Sequence, residues 1–152
     1  MTLVLSFTIL EPTIAPSSAL SANSTTSNIA ALKQSNQRWI EIRLSTQRLI
    51  AWEGKTMVHA VIVSTGKAAT STPVGSFEIQ SKHRIARMQG DDYDIPDVPY
   101  TMYYSGGYAI HGAYWHRSFG TPVSHGCVNV APDHAQWLFN WAKIGTSVVV
   151  RQ

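Results

Sequence analysis

Cysteine is almost absent from this chain: among 152 residues, only Cys127 carries a thiol. A lone thiol forms no internal disulfide, so this is no disulfide-stapled scaffold, and the sulfur is inert packing, a metal ligand or a nucleophile. Long apolar runs are also missing. Leu3-Val4-Leu5-Ser6-Phe7-Thr8-Ile9-Leu10 is eight residues long, where a membrane-spanning helix needs about 20. There is no Lys/Arg run. The net charge of +3 and the pI of about 9.2 come from scattered residues, which argues against nucleic acid and favours an anionic envelope polymer or membrane surface. No phosphate loop is present: Thr65-Gly66-Lys67 lacks the P-loop spacing, and Gly120 and Gly126 do not build a dinucleotide fingerprint. No internal repeat appears.

Charge is scarce at the start. Residues 1–36 hold only Glu11 and Lys33, and the other nineteen charged residues lie from Arg38 onward. Seven of the eleven residues from Ser17 to Ser27 are Ser or Thr, a composition that buries little apolar surface and predicts a disordered linker. The apolar run 3–10 resembles the hydrophobic part of a secretory signal, Ala19-Leu20-Ser21 is a tolerable cleavage site, and the basic n-region is missing. The expectation is a disordered segment over 1–36, export to the envelope, and one folded domain over 37–152.

What is present from Arg38 onward is strand-like. Ile40, Ile42 and Leu44 alternate with Glu41 and Arg43, one apolar face at period two. Met57–Ser64 is a nearly continuous apolar run and reads as a central strand. Gly75–Ser81 reads as another strand. Residues 82–99 are polar, with Asp91, Asp92, Asp94, Pro96, Asp97 and Pro99, and read as a long surface loop, a candidate lid. Gly106-Gly107 predicts a hairpin turn. One helix is clear: Pro132 suits its first position, Ala135, Leu138, Phe139 and Ala142 form one stripe, and Gly145 stops it. Thr146–Arg151 closes the chain as a strand. The class is mainly β with one packed helix and no βαβ rhythm. Five Trp and six Tyr suit such a core and a groove for an extended ligand.

The chemistry gathers around Ser124-His125-Gly126-Cys127-Val128-Asn129 and, upstream, His111-Gly112. A buried thiol is ordinarily a small hydrophobe. The polar and flexible neighbours of Cys127 favour a nucleophile instead. A free thiol is only a few per cent thiolate at neutral pH, and an imidazole that takes its proton raises that fraction. His111, at a strand end, is the expected general base and then the acid, oriented by a backbone carbonyl around Gly112 or Ala113. His125 is the alternative base, otherwise a supporting residue. His116 reads as a loop residue. The amides of Gly126 and Cys127 are candidates for an oxyanion hole. His111, His116, His125 and Cys127 offer four zinc ligands on paper, without the paired spacing of such sites. Ser124 lacks the Gly-x-Ser-x-Gly elbow of a serine hydrolase.

With Ser64-Thr65-Gly66-Lys67 and Thr72-Pro73-Val74-Gly75-Ser76-Phe77 added in the right order, the sequence resembles the L,D-transpeptidases (the YkuD-type catalytic domain) over about 38–151. Many members carry Arg where this chain has Asn129, and others carry Asn. The resemblance implies a YkuD-like β-sandwich or mixed sheet. It implies a secreted acyltransferase of cell-wall biogenesis and cell shape, acting on peptidoglycan stem peptides. Cys127 would attack the carbonyl of the diamino acid of a tetrapeptide stem and release D-Ala. The thioester would pass to an amine in a 3→3 cross-link. Water as acceptor would make it an L,D-carboxypeptidase, and loss of activity would leave an envelope-binding module. No metal or organic cofactor is implied, and a monomer is expected. Ser124, Asn129, Tyr104, Tyr114 and Trp115 are the candidate substrate contacts, and Tyr93 and Tyr100 are further aromatic residues for the groove.

Overall fold

The computed structural model describes residues 17–152. The expected signal-like run 3–10 lies outside the described residues. In chain order the elements are α1 (Ser17–Gln34), β1 (Arg38–Arg43), β2 (Arg48–Glu53), β3 (Thr56–Ile62), β4 (Gly75–Glu78), β5 (Ser81–Gln89), β6 (Asp94–Ser105), β7 (Tyr108–Gly112), β8 (Val128–Val130), α2 (Pro132–Trp141) and β9 (Ser147–Arg151). They form two sheets, ordered β3-β2-β1-β9-β4 and β5-β6-β7-β8. Within each, one pair is parallel, β1 with β9 and β7 with β8. The core lies where the sheets face each other: Ile40, Ile42, Leu49 and Val63 meet Met102, Ile110 and Val128, and Ala135 and Leu138 of α2 close one side. The mainly β fold with a packed helix is as expected.

Three regions differ from expectation. The apolar run read as a central strand is β3, at the edge of its sheet, with Met57, Val58 and Ile62 exposed. The Ser/Thr-rich stretch is helical, not a linker. Leu32 seals onto Trp39 and Val149, with Ile29 packed alongside, and the Lys33 ammonium stands 5.0 Å over the Trp52 ring. Thr26 Oγ1 donates back to Ala22 O at 3.0 Å, so a hydroxyl that would compete with the helix is absorbed by it. Burial of a few apolar side chains at its C-terminal end outweighs a composition of weak helix formers.

Residues 82–99 are not a loop either. They belong to a long β5–β6 hairpin with its tip at residues 90–93. Arg87 Nε and Nη2 grip the Asp94 carboxylate at 2.8 and 2.5 Å across the tip, and Met88 and Val98 face the same cluster. Pro96 and Pro99 are tolerated because their half of β6 pairs only with β5; β7 joins from Met102 onward. Among the described residues no helix is long and apolar enough to cross a membrane.

Candidate active site

Strands β7 and β8 place the site. They run parallel with His111 opposite Asn129 and Ile110 opposite Val128. Side chains alternate with period two, so Ile110 and Val128 enter the core while His111 and Asn129 share the other face. Cys127 lies two residues before Asn129 and falls on that same face. There it packs with Met88, Val98 and Ala109. His111 and Cys127 both line one cavity of about 270 Å³, with Asn129, His125 and Trp115 also on its wall and Met88, Tyr93 and Ile95 of the hairpin over it.

The turn that delivers Cys127 is built from small residues and hydroxyls. Gly126 has φ +121°, and a Cβ there would stand 2.5 Å from the Tyr108 ring, so only glycine fits. Gly66 comes within contact of it: a Cβ at Gly66 would lie 3.0 Å from Gly126 Cα and 2.0 Å from Thr70 O. Thr72 Oγ1 joins the two loops, donating to Gly126 O at 2.8 Å and accepting the Gly66 N–H at 2.9 Å. Thr70 Oγ1 donates to Ser124 O at 2.9 Å. The segment 64–72 is thus the brace of the cysteine turn.

The imidazole of His111 is 2% exposed, and its Nδ1 donates to Gly112 O at 2.9 Å. That bond fixes the tautomer and leaves Nε2 as the unprotonated nitrogen. Gly112 is needed because a Cβ would meet Pro99 Cγ at 2.8 Å. Burial lowers the His111 pKa to about 4, against the Gly112 bond that favours the charged ring, and neighbouring His116 lowers it further. Burial pushes the Cys127 thiol above its ordinary range, offset in part by the Ala109 N–H. The sulfhydryl points to Gly107 O at 3.6 Å. Both shifts favour the neutral forms, so the resting pair is thiol and imidazole, not thiolate and imidazolium.

Other candidates fall unevenly. His125 is exposed at the rim, where Nε2 meets Asp92 Oδ2 at 3.1 Å and the ring stacks on Tyr93 with centroids 4.4 Å apart. It ties the cysteine turn to the hairpin tip. The Gly126 N–H donates to Ser124 Oγ at 3.1 Å and so does not stand ready for an oxyanion as expected. Ser124 Oγ in turn donates to Cys127 O at 2.5 Å; its hydroxyl closes the turn and is taken. Trp115 lines the cavity and stacks on His111 with centroids 5.7 Å apart.

Tyr104 is core, 1% exposed and against Phe77, because its place in β6 points inward. Tyr114 is exposed, donates to Pro96 O at 2.6 Å and stands outside the cavity wall. Tyr100 packs on Phe139. Tyr93 lines the cavity. Asp92, Met88 and Ile95 lie in the stretch read as loop and carried no signal of their own; His116 is a loop residue as expected, and its Nε2 meets the Asn129 amide at 2.9 Å. Among the described residues no group of three or more His, Cys, Asp or Glu is arranged to hold a metal.

The sequence matches the family described as "YkuD: L,D-transpeptidase catalytic domain" over residues 37–150. It is 35% identical over 106 residues to L,D-transpeptidase 1 of Mycobacterium tuberculosis, covering 62% of this chain and 42% of that protein. It superposes on the catalytic domain from Enterococcus faecium L,D-transpeptidase with a TM-score of 0.69 and 30% identity, covering 76% of this chain and 98% of that one. An L,D-transpeptidase solved in complex with imipenem gives a TM-score of 0.71 at 27% identity, over 75% of this chain and 58% of that one. The chain spans less than half the length of the Mycobacterium tuberculosis relative it matches. With the match running across nearly all of the strands and the whole cysteine turn, this chain belongs to the L,D-transpeptidase catalytic-domain family.

Proposed function

We propose that this chain is a peptidoglycan L,D-transpeptidase of the cell envelope, acting outside the cytoplasm, with Cys127 as nucleophile and His111 as general base and acid. One observation carries the reading. A buried imidazole, its Nδ1 held by Gly112 O, lines the same cavity as the only thiol of the chain.

The neutral resting pair sets the order of events. As Cys127 Sγ attacks the carbonyl of the diamino acid, its proton passes to His111 Nε2, and a tetrahedral oxyanion forms. The oxyanion collapses, the bond to D-Ala breaks, and Nε2 returns the proton to the departing amine. A thioester remains on Cys127. An amine of a second stem attacks it, loses a proton to Nε2, and the released sulfur recovers that proton. The Cys127 amide is the remaining expected oxyanion donor, since Ser124 occupies the Gly126 N–H. Met88, Tyr93 and Ile95 of the hairpin cover the cavity with apolar surface. Such a cover disfavours water as acceptor and favours transfer over hydrolysis.

Incubation of the protein with disaccharide-tetrapeptide, with products read by mass spectrometry, tests the reading. Cross-linked dimers with loss of D-Ala are expected. Tripeptide as the main product would mean an L,D-carboxypeptidase. Unchanged substrate would leave only an envelope-binding module.

A further inference from the structure

Three imidazoles line the cavity, and the mechanism above gives His116 no task. His116, between β7 and β8, and Asn129, on β8, meet at 2.9 Å between Nε2 and the amide nitrogen Nδ2. On the ring's other edge Nδ1 accepts the Ser118 backbone N–H at 3.0 Å. A nitrogen that accepts a backbone N–H carries no proton, so in the neutral ring the proton sits on Nε2. Burial favours that neutral ring. Nε2–H then needs an acceptor, and the atom of the Asn129 amide that accepts is Oδ1. With Nδ1 already accepting the Ser118 N–H, an amide nitrogen facing Nε2–H would set donor against donor, so the hydrogen bonding assigns the amide the opposite orientation from the one placed, with Oδ1 on His116 and NH2 on the other side.

That other side matters. Asn129 is 4% exposed and shares its strand face with Cys127, two residues earlier. The only sealed, unpartnered side-chain polar atoms among the described residues are His59 Nε2 and Tyr104 Oη. The free half of the Asn129 amide is therefore not sealed; it opens on the cavity that the residue lines. The geometry points to His116 as a positioning residue: by holding Asn129 Oδ1 it presents the amide N–H groups to a carbonyl or carboxylate oxygen of the acyl donor. The nature of that donor rests on the transpeptidase reading. His116 and His111 then work as opposite tautomers in one site, His116 protonated on Nε2 and His111 on Nδ1.

Two variants separate the two nitrogens of His116. Glutamine places an amide nitrogen near the position of Nε2, asparagine near that of Nδ1, and both lose the ring contacts to Trp115 and Phe119. His116→Gln should keep the KM for disaccharide-tetrapeptide within about threefold of the wild type, while His116→Asn raises it about tenfold with a smaller change in kcat, the scale of one hydrogen bond. In an Asn129→Ala background the difference should vanish. Equal KM values for the two variants, or a gap that survives without Asn129, overturn the inference. Nitrogen-15 shifts of the imidazoles at neutral pH give a reading independent of turnover. His116 protonated on Nδ1 overturns the inference even in an active enzyme. An inactive wild type with His116 protonated on Nε2 upholds the hydrogen-bond arrangement and counts against the transpeptidase reading alone.

Discussion

The floor of the cavity and its roof are held by different kinds of contact. The floor is β7, β8 and the turn 124–127, held by hydroxyls that are buried or partly buried: from segment 64–72, Thr72 to Gly126 O and from Gly66 N–H and Thr70 to Ser124 O, and within the turn Ser124 to Cys127 O. Deleting one such hydroxyl leaves buried backbone groups without partners, which costs far more than the bond itself stabilises. The roof is the tip of the β5–β6 hairpin. It reaches the floor through Asp92 and Tyr93 on the exposed His125 ring and through apolar packing of Met88. An exposed imidazole–carboxylate contact contributes little. The floor is thus held firmly and the roof weakly, which on the proposed reading would keep Cys127 and His111 in place while a bulky ligand enters and leaves.

If this contrast is right, substitutions should separate into two classes. The largest effect is expected within the floor: His111→Ala should lower kcat about 10²–10⁴-fold, the usual worth of a general acid–base, while His125→Gln at the rim costs less than about tenfold. Steady-state rates on disaccharide-tetrapeptide check the ranking, and a reversal would move the base to His125.

Acid comes next. The folded-state pKa of His111 is depressed to about 4, so the unfolded chain binds the proton first as the pH falls. The contribution is intact above about pH 6.5, is lost on the way down to about pH 4, and is worth about 3 kcal/mol in all. His59 and His116 are shifted in the same direction. The quantity to compare is therefore the denaturant midpoint of the wild type minus that of His111→Gln across this range. A constant difference would mean that the ring is not buried as a neutral base.

Thr72→Val probes the brace directly. It strands Gly66 N–H and Gly126 O and should cost about 1–3 kcal/mol of stability, read from urea unfolding. A loss below about 0.5 kcal/mol would show that the floor is not held this way. The smallest effect belongs to the roof. His125 holds the Asp92 carboxyl below the usual range, yet the carboxylate is exposed. Asp92→Asn should leave unfolding nearly unchanged and alter KM only a few-fold. Strong destabilisation by Asp92→Asn would erase the distinction between roof and floor.

The same contrast explains what was legible beforehand. The placement of Cys127 and His111 on one cavity, with the Gly112 carbonyl on the ring, follows from short motifs and period-two alternation that act over a few residues. The helix from Pro132 and the terminal strand were legible for the same reason. The roof was not. Its strands carry prolines and aspartates, and only the cross-strand grip of Arg87 on Asp94 reveals them as a hairpin. Tyr104 was misplaced because its direction depends on the register of β6 with β7. The contact of His116 with Asn129 is not legible because the two lie thirteen residues apart on different elements. The helix over 17–34 was hidden because Leu32 acquires its value only against Trp39 and Val149.

The most direct test is to trap the acyl-enzyme. The wild-type protein is mixed with disaccharide-tetrapeptide or a carbapenem, quenched in acid, and its mass adduct mapped by proteolysis. The account predicts a single thioester on the peptide containing Cys127, absent in Cys127→Ala and formed orders of magnitude more slowly in His111→Ala. An adduct that persists in Cys127→Ala, or forms at the wild-type rate in His111→Ala, would contradict it.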